Sequence, residues 1–408
     1  MKIAYLCSDV DVQVLGHQGC SVHIREFTNA LVDSGHDVFI ICNWLGNPQE
    51  IQTKARVYHL EPTGYNRILW ENLYDDPVML NHFLDRDVWS ILWNLWLQTE
   101  GATIIEREKP DFIYERYALF GYGGLELSRR YGIPLILELN APLCDQQEGY
   151  QKFPLIHTAR QLEREIIGSA DSLIVLTQWL ADWAVRLGAD RSKIHILPDG
   201  VSEGLFGGEI DRRTVRDTLQ WTNKKVVGFV GSFHKWHDVA GLIDAFSQLD
   251  AANRERCLLL VGDGHDRKKL EHKVQDLGLT DIVIFTGKIP HEEVPKYTAT
   301  MDVAVVPYQP IDDFFFSPMK LFECMAVGCP TVAADLGQIS EVIEHGKTGW
   351  LYPAGDNEKL AAGIDALLTN RKLALQIGSA ARQHVLNNHT WEKITRQVMI
   401  IANALLKK

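Results

Sequence analysis

A chain of 408 residues is long for one hydrophobic core and suits two α/β domains; 46% hydrophobic and 23% charged residues are ordinary for a globular protein. A formal net charge of −12 excludes a general nucleic-acid binder and strong adhesion to anionic lipid, leaving room only for a local basic patch. Seven cysteines, odd in number and without a C-x-x-C pair, exclude a disulfide framework and a zinc site and point to reduced thiols in a cytoplasmic compartment.

In chain order, MKIAYLCSDV reads as a first strand rather than a signal peptide. The loop Gly16–Ser21 (GHQGCS) then leads into an amphipathic helix that Gly35 closes. The loop lacks G-x-G-x-x-G, which argues against an NAD or FAD enzyme. DVFIIC is the next buried strand. Trp89, Trp93 and Trp96 share one helix face, which predicts core packing, with an acceptor wall or a shallow membrane contact as the sharper reading. That run, Val88 to Leu97, is far short of the roughly 20 apolar residues a spanning helix needs. The strands DFIYE, PLILEL and SLIVL follow, with Glu115 and Arg116 ending the first and Glu138 and Asn140 the second. Carboxyl ends of parallel strands are where open α/β sheets bind ligands, so these polar groups are predicted to face a cleft.

The Gly-rich stretch PDGVSEGLFGGE interrupts the alternation and places a domain boundary between Pro198 and about Asn223. A second series, KVVGFVG, CLLLVG, IVIFTG, DVAVVP and PTVAA, predicts a second parallel sheet. Its first strand ends in Gly231-Ser232-Phe233-His234-Lys235-Trp236-His237, where Lys235 can neutralise a diphosphate and the Gly231 and Ser232 amides can approach it. Gly262 and Asp263 end the next strand on the same rim.

Ser317-Pro318-Met319-Lys320-Leu321-Phe322-Glu323 is the strongest signal. Ser317 is predicted as N-cap and Pro318 as first helical residue, which leaves the amides of Met319 to Leu321 free at a positive helix end, a natural phosphate seat. Glu323 then stands one turn up the same face, about 6 Å further, where it can accept two ribose hydroxyls. An ordinary capped helix with an outward glutamate is the plain alternative. From Thr390, a predicted cap, Ile394, Val398, Ile401 and Leu405 form a last apolar stripe, expected to cross back onto the first domain. The expected domains are 1–200, 201–388 and a terminal helix 389–408.

With GHQGCSVHIREFTNALVDSGHDV, ADSLIVLTQ, KIHILPDGV, VGSFHKWHDVAGLIDAF, LLVGDGHDRKKLE, IVIFTGKIP, DVAVVPY, SPMKLFECMAVGCPTVA and HGKTGWLYPAGD in this order, the chain resembles the family-4 retaining glycosyltransferases of the GT-B fold. The resemblance implies two Rossmann-like domains facing each other across a cleft, the first binding acceptor and the second a nucleotide-sugar donor. It implies that Glu323 holds the ribose and Lys235 the diphosphate, the pair assigned to catalysis. It places Pro318, Met319, Lys320 and Leu321 beneath the phosphates and sugar, with Gly231, Ser232, Gly262 and Asp263 around the donor and Gly19 facing it from the first domain. Arg116, Glu138 and Asn140 fall to the acceptor or sugar side.

The chain departs from the family at Ser232, where an Arg is usual, at Phe315, where a Glu is usual, at Asn140, where a His is usual, and at Asp199 in a linker usually N-G. The subgroup with S-P-x-K-L-F-E fits better, with Lys320 supplying charge that the absent Arg does not. The resemblance further implies retention of the donor's anomeric configuration, proton uptake by the leaving phosphate and no metal or other cofactor. The sequence agrees on the metal, having no ligand cluster and no D-x-D triplet in a strand-end loop. UDP- and GDP-sugars both fit as donor, and a glycan, a lipid-linked sugar or a small metabolite as hydroxyl acceptor. The expected location is cytoplasmic, with no transmembrane segment and peripheral contact at the inner membrane face left open. Two rivals stand beside this reading: another enzyme on the fold, such as an epimerase that consumes donor without acceptor, or a silent nucleotide-sugar-binding subunit. Turnover by the isolated chain separates them.

Overall fold

Two runs of buried strands and intervening helices build two units, Met1–Pro198 with Glu392–Lys408, and Asp199–Trp391. The computed structural model describes residues 1–407 apart from 75, 77–78, 81–83, 151–152 and 250–254. In the first unit the strands are β1 (Lys2–Cys7), β2 (Gln13–Leu15), β3 (Asp37–Cys42), β4 (Trp44–Gly46), β5 (Arg56–His59), β6 (Phe112–Arg116), β7 (Leu135–Leu139), β8 (Ser172–Val175) and β9 (Ile194–Ile196). Seven form a sheet in the order β5-β3-β1-β6-β7-β8-β9, all neighbours parallel, and β2 pairs with β4 alone. Central β1 is covered on both faces, which is why KIAYLC is an unbroken apolar run rather than an alternating one.

The second unit holds β10 (Lys225–Val230), β11 (Arg256–Val261), β12 (Val283–Gly287), β13 (Val303–Val306), β14 (Thr331–Ala334) and β15 (Trp350–Tyr352), parallel in the order β12-β11-β10-β13-β14-β15. In both sheets the order reverses beside the first strand, between β1 and β6 and between β10 and β13. A doubly wound sheet opens a crevice at such a switch point, outside the strand carboxyl ends. The loop after β10 and the segment from β13 to the helix Met319–Val327 flank the second one. That helix is set by its inner face: Leu321, Phe322 and Met325 are fully buried among Phe229, Val305 and Phe206. Each such side chain contributes roughly 1.5–3 kcal/mol, so the helix start is held firmly at the crevice.

Two helix starts differ from expectation. Ser317 does not cap: its hydroxyl accepts the N–H of Asp199 at 2.9 Å, and Pro318, extended at φ −81°, ψ 98°, precedes a helix that begins at Met319. Thr390 does not cap either; its buried hydroxyl has no partner among the described residues, while its backbone bridges to Val201. The last helix, Trp391–Leu405, buries Ile394, Val398 and Ala402, and Ile401 and Leu405 only partly.

Candidate functional site

The edge of the second sheet turns on two glycines. Gly231 adopts φ +146° and Gly262 φ +134°, conformations costly for any other residue. A Cβ on Gly262 would stand 2.0 Å from the Gly231 carbonyl oxygen, so the two backbones meet face to face. The Gly231 N–H donates to Val261 O at 2.9 Å and the Phe233 N–H to Asp263 O at 3.0 Å, stitching the loops after β10 and β11 together. Asp263 serves that loop, accepting from the Gly264 N–H at 2.8 Å and from Arg267 at 3.2 Å.

Across this turn lies Lys320. A Cβ on Gly231 would meet its Nζ at 2.9 Å. The Nζ is buried and has no hydrogen-bond partner among the described residues. It sits over the rings of Phe229 at 4.8 Å and Tyr308 at 5.3 Å, attractive for a cation but no substitute for water. Burial pulls its pKa down to about 7, against the upward pull of Cys324 and Glu323. The N–H groups of Met319 and Lys320 precede the first backbone bond of this helix, Leu321 N–H to Pro318 O at 2.8 Å. Leu321 is core, so only its backbone belongs to the site.

His237 stands close by without competing for charge. Its Nδ1–H donates to Ser232 O at 2.6 Å, and burial together with the Lys320 charge holds its pKa down to about 2. Lys235, in the short turn Lys235–His237, is exposed; the buried cation of this edge is Lys320. His234 stacks on Trp236 at 4.3 Å, and Trp236 stands parallel to Phe316 at 6.5 Å. Glu323 is 7% exposed and accepts from His291 Nε2 at 2.8 Å. His291 fixes the carboxylate from 32 residues away and belongs to no motif that the sequence displays.

In the first unit, Arg116, Glu138 and Asn140 do come together. Glu138 accepts from His23 Nε2 at 3.0 Å, Asn140 Nδ2 at 2.7 Å, Arg116 Nη1 at 3.4 Å and the Tyr114 hydroxyl. Burial alone would raise its pKa; the charges of His23 and Arg116 and these hydrogen bonds outweigh it and hold Glu138 at about 2. Glu115 is a different case. Successive strand residues face opposite ways, and Glu115 turns into the fold, taking the Ser8 hydroxyl at 3.0 Å, with burial pushing its pKa up to about 8. Gly19 opens the helix Gly19–Asp33, and a Cβ there would meet nothing within 4 Å. Trp93 and Trp96 are buried, and Trp89 packs partly buried against the cluster that holds Trp93, so this face is core.

Residues 17–204 match the family described as Glycosyltransferase Family 4, and residues 211–384 that described as Glycosyl transferases group 1. N-acetyl-alpha-D-glucosaminyl L-malate synthase of Bacillus anthracis is 30% identical over 95% of this chain and 94% of its own length. The chain belongs to the family-4 glycosyltransferases. Solved structures agree on the fold: HepE of Anabaena, in complex with UDP and glucose, is 19% identical with a TM-score of 0.75, covering 99% of this chain and all of that one. Sucrose-phosphate synthase of Thermosynechococcus elongatus is 22% identical with a TM-score of 0.77, covering 100% and 99%. The glycosyltransferase thus has the GT-B fold of two Rossmann-like parallel-sheet domains. No helix among its described residues is long and apolar enough to cross a membrane.

Proposed function

We propose that this glycosyltransferase takes its sugar from a nucleoside diphosphate sugar and passes it, with retained anomeric configuration and without a metal ion, to a hydroxyl acceptor. The observation that carries the reading is Lys320, a buried ammonium with no hydrogen-bond partner among the described residues, beside a glycine turn and the first amides of a helix start. A diphosphate there gains helix amides, the positive helix end and the Lys320 charge at once. Glu323, one turn further, accepts the ribose hydroxyls. The unit Asp199–Trp391 is then the donor domain and the other unit the acceptor domain. Within the S-P-x-K-L-F-E subgroup, Lys320 does the work of the arginine that Ser232 replaces.

In the reaction the anomeric C–O bond to the diphosphate breaks as the acceptor oxygen bonds to the same face of the sugar. The acceptor proton passes to the leaving phosphate oxygen. Lys320 and the helix amides stabilise the charge that builds there, and the protein otherwise positions the partners. Solved HepE held UDP, and a relative from Mycolicibacterium smegmatis is GDP-mannose-dependent, so both bases belong in the test.

A thermal-shift screen of UDP- and GDP-sugars identifies the donor, since a ligand of the folded state raises the melting temperature. Turnover in excess chelator and proton NMR of the product then test the mechanism. An α-linked donor should give an α-linked product at undiminished rate. A β-linked product, or activity lost to chelator and restored by manganese or magnesium, overturns it.

A further inference from the structure

The hydrogen bond between His291 and Glu323 joins two separate segments of the second unit. Glu323 rides on the helix Met319–Val327, and His291 opens the short turn His291–Glu293 that follows β12. The distance from Nε2 to Oε1 is 2.8 Å, and the carboxylate is 7% exposed. A carboxylate only accepts, so Nε2 carries the proton of this bond whether the ring is neutral or charged. His291 is held in turn. Its ring centroid lies 5.5 Å from that of Phe206, which is fully buried, and the Phe206 carbonyl accepts from Arg382 Nη1 at 3.4 Å. The same nitrogen donates at 2.6 Å to the carbonyl of Ala326, in the last turn of the helix that carries Glu323.

Arg382 thus already joins that helix to the ring that backs His291. What the bond to His291 adds is the orientation of the carboxylate. A glutamate on a helix otherwise turns about three side-chain bonds, and ordering them opposes binding. With Oε1 pinned, those torsions are set before a ligand arrives. An ionised carboxylate has about four lone-pair sites. His291 takes one of them, on Oε1, which leaves Oε2 and the far side of Oε1 for a ligand with two adjacent donors.

We propose that His291 is the positioning residue for ribose recognition: by occupying Oε1 it aims the rest of the Glu323 carboxylate at the nucleotide and sets the preference for a ribose with free hydroxyls. This rests on the reading of Glu323 as the group that accepts those hydroxyls.

The probes are UDP, GDP and their 2′,3′-dideoxy counterparts, which lack both hydroxyls. Each is titrated calorimetrically into intact wild type, His291→Phe, His291→Gln, Glu323→Ala and the His291→Phe, Glu323→Ala double variant, with a melting curve for every protein. Phenylalanine keeps a ring against Phe206 and removes the N–H; glutamine keeps an N–H donor. Wild type should prefer UDP or GDP over its dideoxy form roughly 10- to 100-fold. His291→Phe should shrink that preference about 3- to 10-fold, with the dideoxy affinity held within about 2-fold, so that the loss falls on the ribose form. His291→Gln should keep most of the preference. In Glu323→Ala, adding His291→Phe should change neither affinity, because the histidine acts through the carboxylate. A bond that only ties the turn to the helix would lower the melting temperature and leave the preference where it was. That result in folded His291→Phe overturns the proposal, and so does a loss shared equally by the ribose and dideoxy forms. If His291→Phe does not fold, His291→Leu, which also lacks the donor, gives the same reading. Full preference in Glu323→Ala, or no binding of any probe by wild type, overturns the ribose reading itself and the proposal with it.

Discussion

The two sheets end in opposite electrostatic states. At the edge of the second, the buried Lys320 ammonium stands among aromatic rings with no hydrogen-bond partner among the described residues. At the edge of the first, a buried carboxylate is already present, with His23 and Arg116 both on Glu138. The same architecture thus presents one buried cation among aromatic rings, which the proposed function gives to the donor's diphosphate, and one cluster in which cations already face a carboxylate. Charge in a fold is informative less by its amount than by whether its partner is already present.

That contrast can be broken from either side. The largest effect is expected in the first unit: Glu138→Ala leaves Arg116 and His23 buried beside no carboxylate and should cost about 3–5 kcal/mol of stability. Denaturant unfolding measures it, and a loss within about 0.5 kcal/mol, the range of ordinary surface substitutions, would show that the cluster is not a buried ion network. In the second unit Glu323→Ala should spare the fold and weaken UDP binding roughly 10- to 100-fold, since hydrogen bonds to a charged acceptor contribute about 1.5–3 kcal/mol. Calorimetric titration beside a melting curve reads both, and unchanged affinity in the folded variant removes Glu323 from the site.

A smaller effect follows from Lys320 itself. Its folded pKa of about 7 lies below the ordinary 10.5, so between these values the unfolded chain holds a proton that the folded one lacks. Stability of the free protein should therefore rise with pH across that window, by up to about 1.4 kcal/mol per unit more than in Lys320→Met. Parallel slopes in the two proteins would mean that Lys320 keeps its proton when buried. The smallest effect belongs to Lys235. Exposed as it is, Lys235→Ala should change UDP affinity by about 0–1 kcal/mol. A loss as large as that at Glu323 would make Lys235 the phosphate group after all.

The strand series was legible because parallel strands covered on both faces leave unbroken apolar runs such as KIAYLC and CLLLV. The edge strands Arg56–His59, Ile194–Ile196 and Trp350–Tyr352 are short and partly exposed, and their sequences carry no such run. Glu323 and Lys320 could be singled out as candidates because they share a helix start with a local signature. Spacing could not reveal that Ser317 bonds Asp199, 118 residues away, instead of capping that helix. His291 and His23 escaped for the same reason: their carboxylate partners lie 32 and 115 residues away, and nothing local marks them. Nor does a sequence tell a buried lysine at a helix start from an exposed one in a short turn, which is the difference between Lys320 and Lys235.

The central claim is that Lys320, buried with no hydrogen-bond partner among the described residues, receives the donor's diphosphate. Calorimetric titration of UDP into wild type and Lys320→Met, side by side near neutral pH, tests it most directly. Methionine keeps the bulk among Phe229 and Tyr308 and removes the charge. UDP should bind the variant roughly 10- to 100-fold more weakly while its melting temperature is maintained or raised. Equal affinity in the two folded proteins would contradict the assignment.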